Sequence, residues 1–153
     1  MTDPIGEIDR TELMSVWRQM RPWHDSVEGI GRLKRKFTVS ALSNAGMAAV
    51  IALSKRGGLD FDAVLTGELI HAYKPAPEVY RSACACLGFK PEQIMMVAAH
   101  KWDLKAAKDA GFKTAFVPRP LETGPNGKVD IAADASIDVF AANIVDLARL
   151  AGV

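Results

Sequence analysis

The stretch "MMVAAHKWDLKAAKDAGFKTAFVPRP", residues 95–120, decides how this chain folds. It opens inside "IMMVAA", 94–99, an uncharged apolar run of the length of a buried strand. "KWDLKAAKDAG", 101–111, reads as a helix stopped by Gly111. "KTAFVP", 113–118, is a second clear strand. Two strands apolar on both faces, joined by a helix, predict parallel pairing with the helix laid across the sheet.

The same alternation extends outward. "FTVSAL", 37–42, is β-rich, and "NAGMAAVIALSKRGG", 44–58, reads as a helix ended by Gly57 and Gly58. A short strand is expected near 62–66. Pro75 and Pro77 then start a helix running to Leu87, with Gly88 as its stop. Near the front, Leu13, Met14, Val16, Trp17 and Met20 recur at helical spacing, and a second helix is expected over 26–36. After residue 118 comes a loop of about 13 residues, rich in Pro, Gly and Asn, long for a compact domain. A strand near 136–140 and a helix over 142–150 close the chain. Alternating strand and helix place the fold in the α/β class: a Rossmann-like parallel sheet with helices on both faces.

Length and composition fit this picture. The chain has 153 residues, 49% hydrophobic and 24% charged, enough for one domain with a packed core. The net charge is +1 and no basic stripe appears, so nucleic acid is not indicated as a partner. The longest uncharged apolar run, "MAAVIALS", is far below the roughly 20 residues that span a bilayer, so no membrane association is expected. "MTDPIGEIDR" lacks the apolar stretch of a signal peptide. Cys84 and Cys86 would point to different faces of a helix, so they read as reduced thiols of a cytoplasmic protein, neither a disulfide nor a metal site.

Ligands of such sheets bind beyond the C-terminal strand ends. Three polar groups fall there. Ser43 and Asn44 end one strand and could bind an anion through side chains and helix-start amides, or could simply cap the helix. Lys74 stands before Pro75, where the backbone is held extended; a solvated surface lysine is the alternative. His100 and Asp103 follow the strand 94–99. Asp103 could act in a site or merely stabilise its helix start, and His100 could be a base, a donor or a loop residue.

Taken together, "SALSNA" (40–45), "AYKPAPEVY" (72–80) and residues 95–120 resemble the haloacid dehalogenase superfamily, and within it the type II 2-haloacid dehalogenases. The resemblance implies hydrolytic displacement of halide from a short 2-haloacid, or action on a related carboxylate. An aspartate attacks carbon, and water then hydrolyses the enzyme ester. It implies that Lys74 holds the nucleophile ionised, that Ser43 and Asn44 bind the substrate carboxylate, and that Tyr80 lines the site. Asp103 would hold Lys74 or position water. His100 stands where many relatives carry an asparagine. No cofactor and no metal are implied. Phosphatases of the superfamily bind magnesium through an acidic residue four before the aspartate; here that place is Ala99, and one remaining carboxylate is a poor site for a hard cation.

The superfamily's nucleophile segment, an aspartate ending a first strand, has no match; neither Asp3 nor Asp9 follows an apolar run. The resemblance therefore implies a cap-helix remnant over 1–24 and a core over 25–153 that lacks its first, central strand, with the chain inactive alone. A truncated module that dimerises or binds a partner is the alternative. Each buried unpaired backbone group costs about 1–3 kcal/mol against a total stability of about 5–15 kcal/mol. The strands flanking the gap would thus pair directly, accept a strand from elsewhere, or leave a poorly folded chain.

Overall fold

The computed structural model describes residues 19–153. The helix expected over 10–20, and nearly all of the expected cap remnant over 1–24, lie outside the described residues. Within them the chain runs α1 (Ser26–Leu33), β1 (Ser40–Ser43), α2 (Met47–Gly57), β2 (Ala63–Thr66), α3 (Gly67–Ile70) and α4 (Pro77–Leu87). After a 3-10 turn at Pro91–Gln93 it continues as β3 (Met95–Ala98), α5 (Lys101–Asp109), β4 (Lys113–Phe116), β5 (Val139–Phe140) and α6 (Ile144–Leu150).

Local chemistry accounts for most boundaries. Pro77 opens α4, where its missing N–H has no helical partner to lose. Gly88 closes it at φ +70°, a backbone that costs glycine nothing. β1 starts later than the apolar run suggests. The N–H groups of Lys36 and Phe37 both donate to the carbonyl of Leu33, so the end of α1 winds on as a turn before the chain extends. The short helix α3 was not visible in the sequence; Thr66 caps it by accepting from the N–H of Leu69.

All strand pairs are parallel, in two groups. β1 pairs with β2, Ser43 opposite Thr66. β3 pairs with β4 and β4 with β5, Ala98 opposite Phe116. Strands β1 and β3 do not pair with each other, so direct closure of the sheet is not the arrangement adopted among the described residues. Instead, one apolar cluster joins the groups: Leu65 of β2, Val79 and Tyr80 of α4, Met96 of β3, Leu104 of α5. Burying each such large side chain stabilises by about 1.5–3 kcal/mol.

Successive strand residues point to opposite faces. Ala115 and Val117 therefore meet a second cluster with Ala141 and Leu147 on the other side of the sheet, where α1 and α6 pack together. That cluster includes no residue of β3. As a result Met95 and Val97 stay 39% and 36% exposed, so the expectation of burial on both faces fails at β3 and holds for most of β4.

Candidate active site

The segment after β2 carries Lys74 toward α5. The Tyr73 ring packs against Gly67: a Cβ there would come within 2.5 Å of the ring and 2.8 Å of the Ala72 carbonyl, so a larger residue would displace its neighbours. The main chain of Lys74 is then clasped by one side chain. Its N–H donates to Asn44 Oδ1 at 2.7 Å, and Asn44 Nδ2 donates to its carbonyl at 3.1 Å. The Lys74–Pro75 peptide is cis. This amide clasp reproduces the hydrogen bonding of a paired strand and ties the C-terminal end of β1 to the lysine.

Lys74 Nζ donates to Asp103 Oδ2 at 2.5 Å, with the lysine side chain 12% and the aspartate side chain 3% exposed. The other carboxylate oxygen, Oδ1, accepts from the Tyr80 hydroxyl at 2.7 Å. Tyr80 itself is fully buried, its ring edge-on to Phe112. Burial first, and the Asp103 carboxylate second, push its phenol far above the ordinary value, so it stays a neutral donor. Asp103 does not serve as a helix cap. The α5 amide of Lys101 is instead satisfied by Asp130 Oδ2 at 2.9 Å. The resulting unit is a buried carboxylate with both oxygens directed by fixed donors, and an ammonium that has donors left over for an incoming anion.

The structure thus brings Lys74, Tyr80, Asp103 and Asn44 together. Asn44 spends its side-chain amide on the Lys74 backbone. Ser43 Oγ accepts from the N–H of Ala45 at 3.1 Å, and its hydroxyl proton stays available as a donor. His100 is directed elsewhere: its Nε2 lies 3.1 Å from Glu122 Oε2, and its ring stacks on Trp102 at 5.9 Å.

Four partners escaped the sequence reading. Glu68 of α3 accepts the Met47 N–H at 2.8 Å, occupying the start of α2 with a carboxylate from the chain itself. The loop after β4 supplies Glu122, Asp130 and Asp134 to the residues that open α5. No local pattern marks such contacts, because the partners are separated by 21 or more residues. The length of the loop was the one available signal. Among the described residues no three His, Cys, Asp or Glu side chains gather as a metal site, and no helix is long and apolar enough to cross a membrane.

Comparison with known proteins agrees with this geometry. The family model for haloacid dehalogenase-like hydrolases matches residues 3–111. The chain is 33% identical over 122 residues to (S)-2-haloacid dehalogenase 4A of Burkholderia cepacia, covering 78% of this chain and 52% of that protein. Among solved structures, the L-2-haloacid dehalogenase PA0810 superposes with a TM-score of 0.92 at 38% identity, over 97% of this chain and 65% of the other. The defluorinating L-2-haloacid dehalogenase Rha0230 superposes at 0.89 with 34% identity, over 95% and 59%. The chain therefore spans about half the length of the curated relatives it matches.

Proposed function

Because this chain belongs to the haloacid dehalogenase-like hydrolases, we propose that it carries the lysine half of a 2-haloacid dehalogenase site. The observation that carries the reading is the Lys74–Asp103–Tyr80 unit. A secluded ammonium lowers the cost of a second carboxylate beside it and holds that carboxylate ionised, as a nucleophile toward carbon requires. Lys74 serves the nucleophile, Asp103 and Tyr80 aim the lysine, and the Ser43 hydroxyl meets the substrate carboxylate. Asn44 contributes by holding the Lys74 backbone.

Among the described residues, Asp103 is the one carboxylate paired with Lys74. The attacking carboxylate is supplied from outside them, at the carboxyl ends of β1 and β3. The 153-residue chain alone then releases chloride from (S)-2-chloropropionate no faster than buffer. Turnover near an ordinary enzymatic rate, about 1 s⁻¹ or more, would show that the chain supplies its own nucleophile. Joined behind the N-terminal half of the Burkholderia cepacia relative, the chain gains chloride release, and Lys74→Met in that fusion abolishes it. A folded fusion that releases no chloride would sink the dehalogenase reading. Magnesium changes neither result, since Ala99 offers no side-chain carboxylate as a ligand.

A second reading is favoured by the exposed apolar side chains of β3. Met95 and Val97 would suit association with another chain or a second copy. Light scattering that shows a monomer at every concentration would remove it.

A further inference from the structure

Helix α2 begins without a cap of its own. Its N-cap is Gly46, which has no side chain to offer, and no acidic residue stands in its first turn. A helix start of this kind leaves amide N–H groups without partners unless another segment supplies an acceptor. Here the acceptor comes from 21 positions away: Glu68 Oε2 takes the Met47 N–H at 2.8 Å. The carboxylate sits against the cap residue itself, since a Cβ on Gly46 would come within 3.3 Å of the same oxygen. Just before this turn stands Asn44, whose amide clasps the Lys74 main chain at 2.7 and 3.1 Å. Glu68 belongs to the same short segment that carries Lys74. That segment is closed on itself: the Ala72 N–H donates to the Gly67 carbonyl at 3.2 Å, and the Tyr73 ring packs against Gly67. The contacts thus form a ring, from Glu68 to Met47, from Asn44 to Lys74, and back through Tyr73 and Gly67.

We propose that Glu68 is a positioning residue for Lys74: it fixes the first turn of α2, so that Asn44 keeps its amide in register with the lysine main chain. The clasp holds Lys74 only as firmly as residue 44 is itself held, and Asn44 is exposed and belongs to no helix or strand. Among the described residues, Glu68 is the one side chain bonded to an amide of the first turn of α2. Losing that acceptor lets the turn fray, and a loosened Asn44 releases the lysine backbone. The bond to Asp103 at 2.5 Å holds only the tip of the lysine side chain, so the backbone anchor is a separate requirement. Its use in catalysis rests on the dehalogenase reading. An ammonium on a wandering backbone stabilises an ionised nucleophile less, because attraction between charges falls with distance.

The test uses the full chain, labelled with nitrogen-15, and follows hydrogen exchange at single amides. The reporter is the Lys74 N–H, which donates to Asn44 and not to Glu68. Glu68→Ala should speed its exchange about fivefold, the factor that a lost helix cap carries. Glu68→Gln should keep it slow, since the amide oxygen accepts the same Met47 N–H. The control is the Val39 N–H, which donates to Asp62 Oδ2 at 2.8 Å ahead of β1 and should not change. Unchanged exchange at Lys74 in Glu68→Ala, or equal acceleration at Lys74 and Val39, would overturn the proposal. In the fusion with the N-terminal half of the relative, Glu68→Ala should move the acid limb of chloride release to higher pH, and Glu68→Gln should restore it. An unmoved limb would overturn the positioning role and leave Glu68 a helix cap. The exchange result involves no haloacid turnover, so its failure leaves the dehalogenase reading standing, and a fusion without chloride release leaves the exchange result untouched.

Discussion

Asp25 and Asp103 are equally secluded, each 3% exposed at the side chain, and their cations Arg119 and Lys74 are 13% and 12% exposed. Their surroundings differ. Arg119 binds Asp25 bidentately, the N–H of Ile144 adds a third bond at 2.7 Å, and the guanidinium lies 5.2 Å from the centre of the Trp23 ring. These three bonds tie the start of α1 to α6 and to the loop after β4. Lys74 reaches Asp103 with one bond from a compact ammonium that has further donors to offer. Equal burial therefore marks two purposes: a saturated pair that fastens elements together, and an unsaturated one built to receive another group.

The largest effect is expected at Arg119. Arg119→Met leaves Asp25 buried without its cation and should cost about 3–5 kcal/mol by urea unfolding. A loss below about 1 kcal/mol would mean that the pair fastens nothing.

The Asp25 pair also responds to acid. Burial alone would raise the Asp25 carboxyl, but the Arg119 hydrogen bonds, the Ile144 N–H and the guanidinium charge outweigh it and hold the group below its usual range. The folded value lies below the unfolded one, so the stabilisation is present above the unfolded value and fades as pH falls through the folded one. Asp25→Asn should flatten the acid limb of the stability profile below about pH 4, where an unperturbed aspartate takes up its proton. An unchanged limb would assign acid sensitivity to other carboxylates.

Tyr80→Phe probes the unsaturated pair. It strips one oxygen of Asp103 of its donor and should cost about 2 kcal/mol, with the ring packing retained. A neutral outcome would show that water replaces the hydroxyl. The smallest effect belongs to Asn44→Ala, which removes the two bonds clasping the Lys74 main chain and should cost about 1 kcal/mol. In the fusion, that variant should lose chloride release far beyond its loss of stability; equal losses would reduce the clasp to a structural role.

The alternation of strand and helix was legible because its signals are local. Apolar runs at 94–99 and 113–118 contain β3 and β4, and Gly88 and Pro77 mark the ends of α4 where glycine and proline are needed. Boundaries drifted where a hydrogen bond outside the local pattern intervened, as at Phe37. The short helix α3 escaped because a single capped turn carries no period.

The sequence by itself determined the parallel α/β plan and the presence of polar residues at the strand ends, since both follow from residue type and near-neighbour spacing. It could not decide which of those polar groups meet. Lys74 and Asp103 are 29 positions apart, Asp25 and Arg119 are 94 apart, and a lysine reads the same whether it faces water or a buried carboxylate. Only the packing of α4 and α5 against both strand groups turns Lys74 and Tyr80 onto one carboxylate, because long-range burial is a property of the assembled core.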